Sequence, residues 1–286
     1  MKIGDVGVPD DGYDDERGME YLRTVMESDE PVEFEWKVED TNGRAHLMDV
    51  RGTDAVINGE PRYLAIGRDV TERKRRQRAI ETLQEATERL QTAETPAEVA
   101  TIAVETASDI LELPMAICWF DDEETDQLEP SAATDPVHDA GLVSALATDR
   151  YEYDVFVEGA VTVYSPTEQA PDNPLETGVL LPLADHGLIA AGTREDIRAD
   201  ETVLDVAKAL ADHVTTALDR VERAQAVRES ERRFRLIAER IDEVIYLAKP
   251  DFSEVLYVNP AYEEIWGRPI DELDGNAREF IEAADD

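Results

Sequence analysis

The sequence predicts an α+β protein: a central antiparallel sheet with flanking helices, joined by long helices to smaller segments at both ends. Three observations predict it. Short apolar runs of strand length are punctuated by Asn-Gly, Asp-His-Gly and acidic turns. Longer stretches space their apolar residues three and four apart, the period of a helix. Residues 200 to about 240 contain neither Pro nor Gly, so they read as one long helix of about 60 Å at 1.5 Å per residue.

Glu16 to Ser28 reads as a short helix carrying Met19, Leu22, Val25 and Met26. Residues 31–38 alternate strictly, with Val32, Phe34, Trp36 and Val38 on one face. Asn42-Gly43 and Asn58-Gly59 are hairpin turns, and strands are expected near 44–53 and over Arg62 to Val70. Thr71 is expected to cap the next helix. In that helix Ile80, Leu83, Thr87 and Leu90 form a narrow seam among Arg, Gln and Glu, a stripe suited to a partner helix.

Thr95-Pro96-Ala97-Glu98 is a capping box with proline at the first helical position. Val99, Ile102, Ala103, Thr106 and Ile110 then share one helix face. Strands follow at 115–121 and 127–133, a helix at 137–148, and a short strand after Gly159. Gly178 to Leu183 and Gly187 to Gly192 read as two buried strands around Asp185-His186-Gly187. The long helix turns Leu204, Ala207, Leu210, Val214, Leu218 and Val221 inward, becomes polar, then regains Phe234, Ile237 and Ile241. Strands at 243–248 and 254–258, a helix from Ala261 to Trp266 opened by Asn259-Pro260, and a further turn at Ile270 to Leu273 complete the pass.

The 286 residues carry 67 Asp and Glu against 28 Lys and Arg, a net charge of −39. Only Lys2, Lys37, Lys74, Lys208 and Lys249 are lysines. Such a charge repels itself at ordinary salt. Concentrated salt screens it, with a Debye length of about 3 Å at 1 M, so the composition reads as halophilic. The acid is spread evenly through periodic apolar segments, which argues against a disordered acidic tail. It also argues against nucleic-acid binding, which needs a basic face. The single basic cluster, Arg73 to Arg76 with Arg78, reads as a solvated helix face. Cys118, the only cysteine, lies in an apolar run and reads as packing. No run of about 18 apolar residues occurs and no signal peptide is legible, so a cytoplasmic location is expected.

Gly67-Arg68-Asp69-Val70-Thr71-Glu72-Arg73 resembles the closing motif of a PAS domain, where Asp-x-Thr marks the junction to a signalling helix. Pro31 to Glu35 and Asn42-Gly43-Arg44 resemble the strand and hairpin before it. Ser230 to Glu239 and Val255 to Tyr262 resemble the opening of a second PAS domain. The region between resembles a GAF domain of haloarchaeal sensor proteins, on element order and Leu180-Leu181-Pro182-Leu183. The resemblance implies the C-terminal half of a PAS domain (the PAC part) over 1–70, a signalling helix or short coiled coil over 71–94, a GAF-like domain over 95–222, a linker helix over 223–240 and the N-terminal half of a PAS domain over 241–286. The two halves complement one another, within one chain or between two, or reflect a split gene.

The resemblance further implies sensing and relay, as in PAS/GAF sensor histidine kinases of the two-component phosphorelay or in bacterio-opsin activator-like transcription regulators. Asp69 and Thr71 would be the relay junction. Ile80, Leu83 and Leu90 would be the coiled-coil seam of a homodimer, with kinase or response-regulator components as partners and no membrane or nucleic acid. No His-Glu phosphoacceptor motif or Gly-rich ATP lid is legible, so a non-enzymatic part of such a system is expected. His213 does not match a dimerisation box, and His46, His138 and His186 show no metal spacing. No catalytic set and no haem, flavin or bilin attachment can be matched, so the ligand stays unread.

Overall fold

The computed structural model describes residues 13, 15–28, 30–41, 44–122, 124–165, 175–195, 201–250, 253–267 and 269–270. The chain divides into two compact units, Met1–Ala217 and Leu218–Asp286. Its architecture is α+β, with antiparallel sheets and flanking helices.

The first unit opens with helix α1 (Asp15–Glu27) and the meander β1 (Val32–Glu39), β2 (Ala45–Ile57) and β3 (Glu60–Asp69). Alternation in β1 turns Phe34 and Trp36 inward, where both are buried. Tyr21 of α1 stacks on Phe34 with ring centroids 4.1 Å apart, and Val25 is fully buried. Gly52 on β2 permits this approach: a Cβ there would meet the Val25 side chain at 3.0 Å and the Tyr63 hydroxyl at 2.7 Å. Asn58 and Gly59 both take positive φ, as a tight hairpin demands. Strand β2 runs to Ile57, four residues past its expected end, because it pairs with β3 down to Ile57↔Glu60. Asn42-Gly43 lies outside the described residues.

Helix α2 (Thr71–Thr92) packs on α3 (Pro96–Leu111). The capping box forms: Thr95 Oγ1 accepts from the Glu98 N–H at 3.2 Å. Its return arm reaches one residue further back, with the Glu94 N–H donating to Glu98 at 2.8 Å.

A five-stranded antiparallel sheet follows, built from β4 (Met115–Asp122), β5 (Gln127–Ala133), β6 (Thr162–Tyr164), β7 (Thr177–Pro182) and β8 (Gly187–Thr193) in the order β5-β4-β8-β7-β6. It is the GAF-like sheet with flanking helices that the resemblance implies. One face is packed by Ile117, Trp119, Leu128, Leu180 and Leu188 with Val137, Leu146 and Val155. Gly187 holds φ +155, and a Cβ there would strike the Trp119 carbonyl oxygen at 2.0 Å.

The helix expected at 137–148 is corrected. Only Asp135–Asp139 (α4) is helical. Beyond it the backbone serves the sheet: Leu146 exchanges both backbone hydrogen bonds with Leu128, and the Ser144 carbonyl accepts from Trp119 Nε1 at 2.7 Å. Helix α5 (Tyr151–Glu158), which periodicity did not reveal, then covers the packed face through Val155.

Helix α6 (Glu201–Ala238) is continuous for 38 residues. Within the first unit it buries Ala207, Leu210 and Val214, while Leu204 is half-buried. The second unit holds the rest of α6, the hairpin β9 (Tyr246–Ala248) and β10 (Val255–Val258), and α7 (Ala261–Trp266). Phe234 packs edge-on against Tyr257 at 5.5 Å. The turn expected at Ile270 to Leu273 falls largely outside the described residues. Among those described, no helix is long and apolar enough to cross a membrane.

Candidate functional site

The two residues that mark the strand-to-helix junction meet at one point. Asp69 ends β3 and Thr71 opens α2. Asp69 Oδ1 accepts from the Thr71 N–H at 2.9 Å and from its hydroxyl at 2.6 Å. Thr71 Oγ1 in turn accepts from the Leu47 N–H of β2 at 2.8 Å, and the Leu47 carbonyl accepts from the Val70 N–H at 2.9 Å. Both backbone groups of Leu47 therefore hold the turn.

Thr71 is thus not the cap. Val70 occupies that position without a side-chain bond, and Thr71 is the first helical residue. The carboxylate two residues upstream satisfies its orphan N–H, as a capping side chain would.

Sequence reasoning missed His46. Its Nδ1 donates to Asp69 Oδ2 at 2.8 Å, and its Nε2 lies 3.6 Å from Asp40. The Thr71 hydroxyl and N–H, with His46 behind them, hold the Asp69 carboxyl down at about 2, well below the ordinary carboxylate range. Lys74, one turn into α2, reaches Glu35 of β1 at 2.7 Å. All three strands of the meander therefore touch the first turn of the helix.

The far end of α2 is tied as closely. Ala79, Ala86 and Leu90 are buried, and Arg89 pairs with Glu105 of α3 at 2.7 Å. Thr87 Oγ1 donates to the Leu83 carbonyl and lies 2.8 Å from Nδ1 of His213 on α6, so it accepts when Nδ1 carries the proton. His213 is thus an exposed helix residue bonded to α2. Of the expected seam, Leu90 is buried, Leu83 half-buried and Ile80 40% exposed. The stripe covered within the chain runs through the two alanines.

The second unit has a comparable tie that the sequence did not single out. Asn259 is fully buried. Its side-chain amide donates to the carbonyls of Ala238 at 2.8 Å and Glu243 at 3.0 Å, and its Oδ1 accepts from the Ile245 N–H at 2.9 Å. The last turn of α6 is thereby fixed to the strand that follows.

Cys118 is fully buried, and burial pushes its thiol far above the ordinary value, as suits a packing residue. Among the described residues no group of His, Cys, Asp and Glu is placed to hold a metal ion.

No protein-family model and no curated protein matches the chain. Solved structures do resemble it. The GAF domain of an Acinetobacter phosphoenolpyruvate-protein phosphotransferase aligns with 52% of this chain and 95% of its own, at 11% identity and a TM-score of 0.45. The second GAF domain of DevS from Mycobacterium smegmatis aligns with 46% of this chain and 99% of its own, at 17% identity and a TM-score of 0.40. The free methionine-R-sulfoxide reductase of Neisseria meningitidis, in complex with its substrate, aligns with 51% and 91%, at 14% identity and a TM-score of 0.45.

Proposed function

We propose that the chain is a sensory relay module of a phosphorelay sensor, passing changes in its folded parts through α2 and α6 to an output domain. The observation that carries this reading is the Leu47–Asp69–Thr71 junction, where the last strand of a sheet and the first turn of a helix share hydrogen bonds. A shift of β3 against β2 has to break these bonds or move α2 with it. Helix α2 then meets α3 through the Arg89–Glu105 pair and α6 through His213. Two arrangements separated by a few kcal/mol suffice for a switch, since a stimulus need only bias their populations.

In this reading α2 pairs with its own copy through the exposed Ile80 and the half-buried Leu83. The mechanical role is the same for a sensor kinase and for a transcription regulator. The phosphorelay assignment rests on the sequence resemblance.

Amide hydrogen exchange on the whole chain in concentrated KCl tests the relay. Asp69→Ala should speed exchange not only in the first turn of α2 but along it to Leu90 and into α3, with β7 and β8 unchanged. Faster exchange confined to residues 69–74 would reduce the junction to a local cap and reject the relay.

A further inference from the structure

One of the four histidines belongs to the relay junction. Histidine is the one side chain whose unperturbed charge change falls between about pH 5 and pH 8. His46 stands between two carboxylates from different parts of the sheet. Its Nδ1 lies 2.8 Å from Asp69 Oδ2 at the end of β3, and its Nε2 lies 3.6 Å from Asp40 Oδ2 just after β1. Both carboxylates are held in place. Asp69 is fixed by Thr71. Asp40 accepts from the Arg44 N–H at 2.9 Å and donates its own N–H to the Arg44 carbonyl at 2.8 Å.

A ring so placed has two bonding capacities. The imidazolium carries two N–H donors, one for each carboxylate, whereas the neutral ring carries one. An ionised carboxylate only accepts, so the 2.8 Å bond to Asp69 keeps that one proton on Nδ1. Nε2 then turns a lone pair towards the Asp40 carboxylate, and an attraction becomes a repulsion. Asp69 does not share in the change: with its carboxyl held at about 2, it stays ionised throughout. Among the described residues, Asp40 and Asp69 are the charged groups paired with the ring. Val38 is its register partner on β1, on the side of Phe34 and Trp36. Lys37 and Arg68 occupy alternating strand positions, and Lys74 is engaged by Glu35 at another, so these cations belong to the opposite face. Arg44, two residues before the ring, is exposed, and α1 carries exposed Glu16 and Arg17 in its first turn.

We propose that His46 is a proton-operated clamp on the junction: charged, it ties the turn after β1 to the end of β3, and neutral, it releases Asp40. The next residue, Leu47, bonds Thr71 through its N–H and Val70 through its carbonyl. Releasing the turn therefore loosens the strand position from which the first turn of α2 hangs, and acidity becomes the stimulus read there. The consequence for the rest of α2 rests on the relay reading, whereas the clamp itself does not.

Amide hydrogen exchange on the whole chain in concentrated KCl, between about pH 5 and pH 8 and corrected for the intrinsic pH dependence of exchange, tests the clamp. Both contacts are comparable with the screening length of about 3 Å in molar salt, so they survive there. Protection of Leu47 and of residues 71–74 should fall about two- to fivefold as pH rises, the span that a partly exposed ion pair supports. His46→Gln keeps a neutral donor, and Asp40→Asn keeps the shape of the turn residue. Each should flatten the profile. His213 also touches α2 and titrates in this window, so only the pH dependence that His46→Gln abolishes counts. A flat wild-type profile, or a fall that either variant reproduces, overturns the clamp. A fall lost in both variants that stops at Lys74 upholds the clamp and rejects the relay, and one that extends to Leu90 upholds both.

Discussion

Asp69 uses both carboxylate oxygens at the junction, one for Thr71 and one for His46. The charged form is therefore preferred in the folded state, and its pKa falls to about 2. A depressed carboxylate contributes stability above the unfolded value of about 3.9 and loses it as pH falls through the folded one. Asp69→Ala should thus cost about 1 kcal/mol at neutral pH, less than a buried charged hydrogen bond, because the side chain is half exposed and screened. The deficit should close between about pH 4 and pH 2. Urea melts of both proteins across that range measure it, and a deficit that does not change with pH would remove the carboxylate charge from the junction. Asn259 is a sharper case because it is fully buried. Asn259→Ala would orphan the Ala238 and Glu243 carbonyls and the Ile245 N–H at about 1–3 kcal/mol each, less whatever water repairs. Limited proteolysis should then cut beyond Ala238 while the first unit resists. An unchanged cleavage pattern would show that the amide is dispensable. Asp69 and Thr71 were legible because they lie two apart in a known motif. His46 was not, since its partner is 23 positions away and only the β2–β3 register brings them together. Asn259 read as the opening of a helix, and its bonds run backwards to groups 14 to 21 residues earlier.

At the scale of elements, α2 presents two stripes with different duties. Ala86 is 2% exposed, on a helix that packs on α3. Ala86→Glu would bury an unpaired charge there, so it should destabilise the first unit by several kcal/mol and release α2. Ile80→Lys lies on the exposed side and should change monomer stability by less than about 0.5 kcal/mol. The same substitution should weaken a dimer built on the Ile80 and Leu83 seam. Denaturation paired with sedimentation separates the two effects, and a dimer indifferent to Ile80→Lys would dismiss that seam. Elements governed by local chemistry were legible: the capping box of α3, the Asn58-Gly59 hairpin, and the buried runs of β7 and β8. The segment 137–148 was not. Leu142, Val143 and Leu146 are spaced three and four apart, as on a helix face, but the Leu128 and Trp119 hydrogen bonds that claim its backbone come from β5 and β4. Tertiary demand overrode a genuine period.

For the whole molecule, the question is which electrostatic effect dominates, because salt screens attraction and repulsion alike. The ion pairs are mostly exposed: Arg89–Glu105 and Lys74–Glu35 both have side chains about a third to a half accessible. Pairs of that kind contribute about 0–1 kcal/mol each, and salt removes little by weakening them. The repulsion is larger in number. Even if each of the 28 cations held an acid, the chain would keep its net charge of −39, crowded by folding onto a smaller volume than in the unfolded state. Screening at about 3 Å in molar salt quiets neighbours that a Debye length of about 10 Å at 0.1 M leaves in contact. Stability should therefore rise steadily from 0.1 M to molar KCl. Thermal melts followed by circular dichroism at increasing KCl check the sign. A midpoint that stays flat or falls would mean that the ion pairs outweigh the excess acid, and that the composition owes nothing to a salt-rich setting.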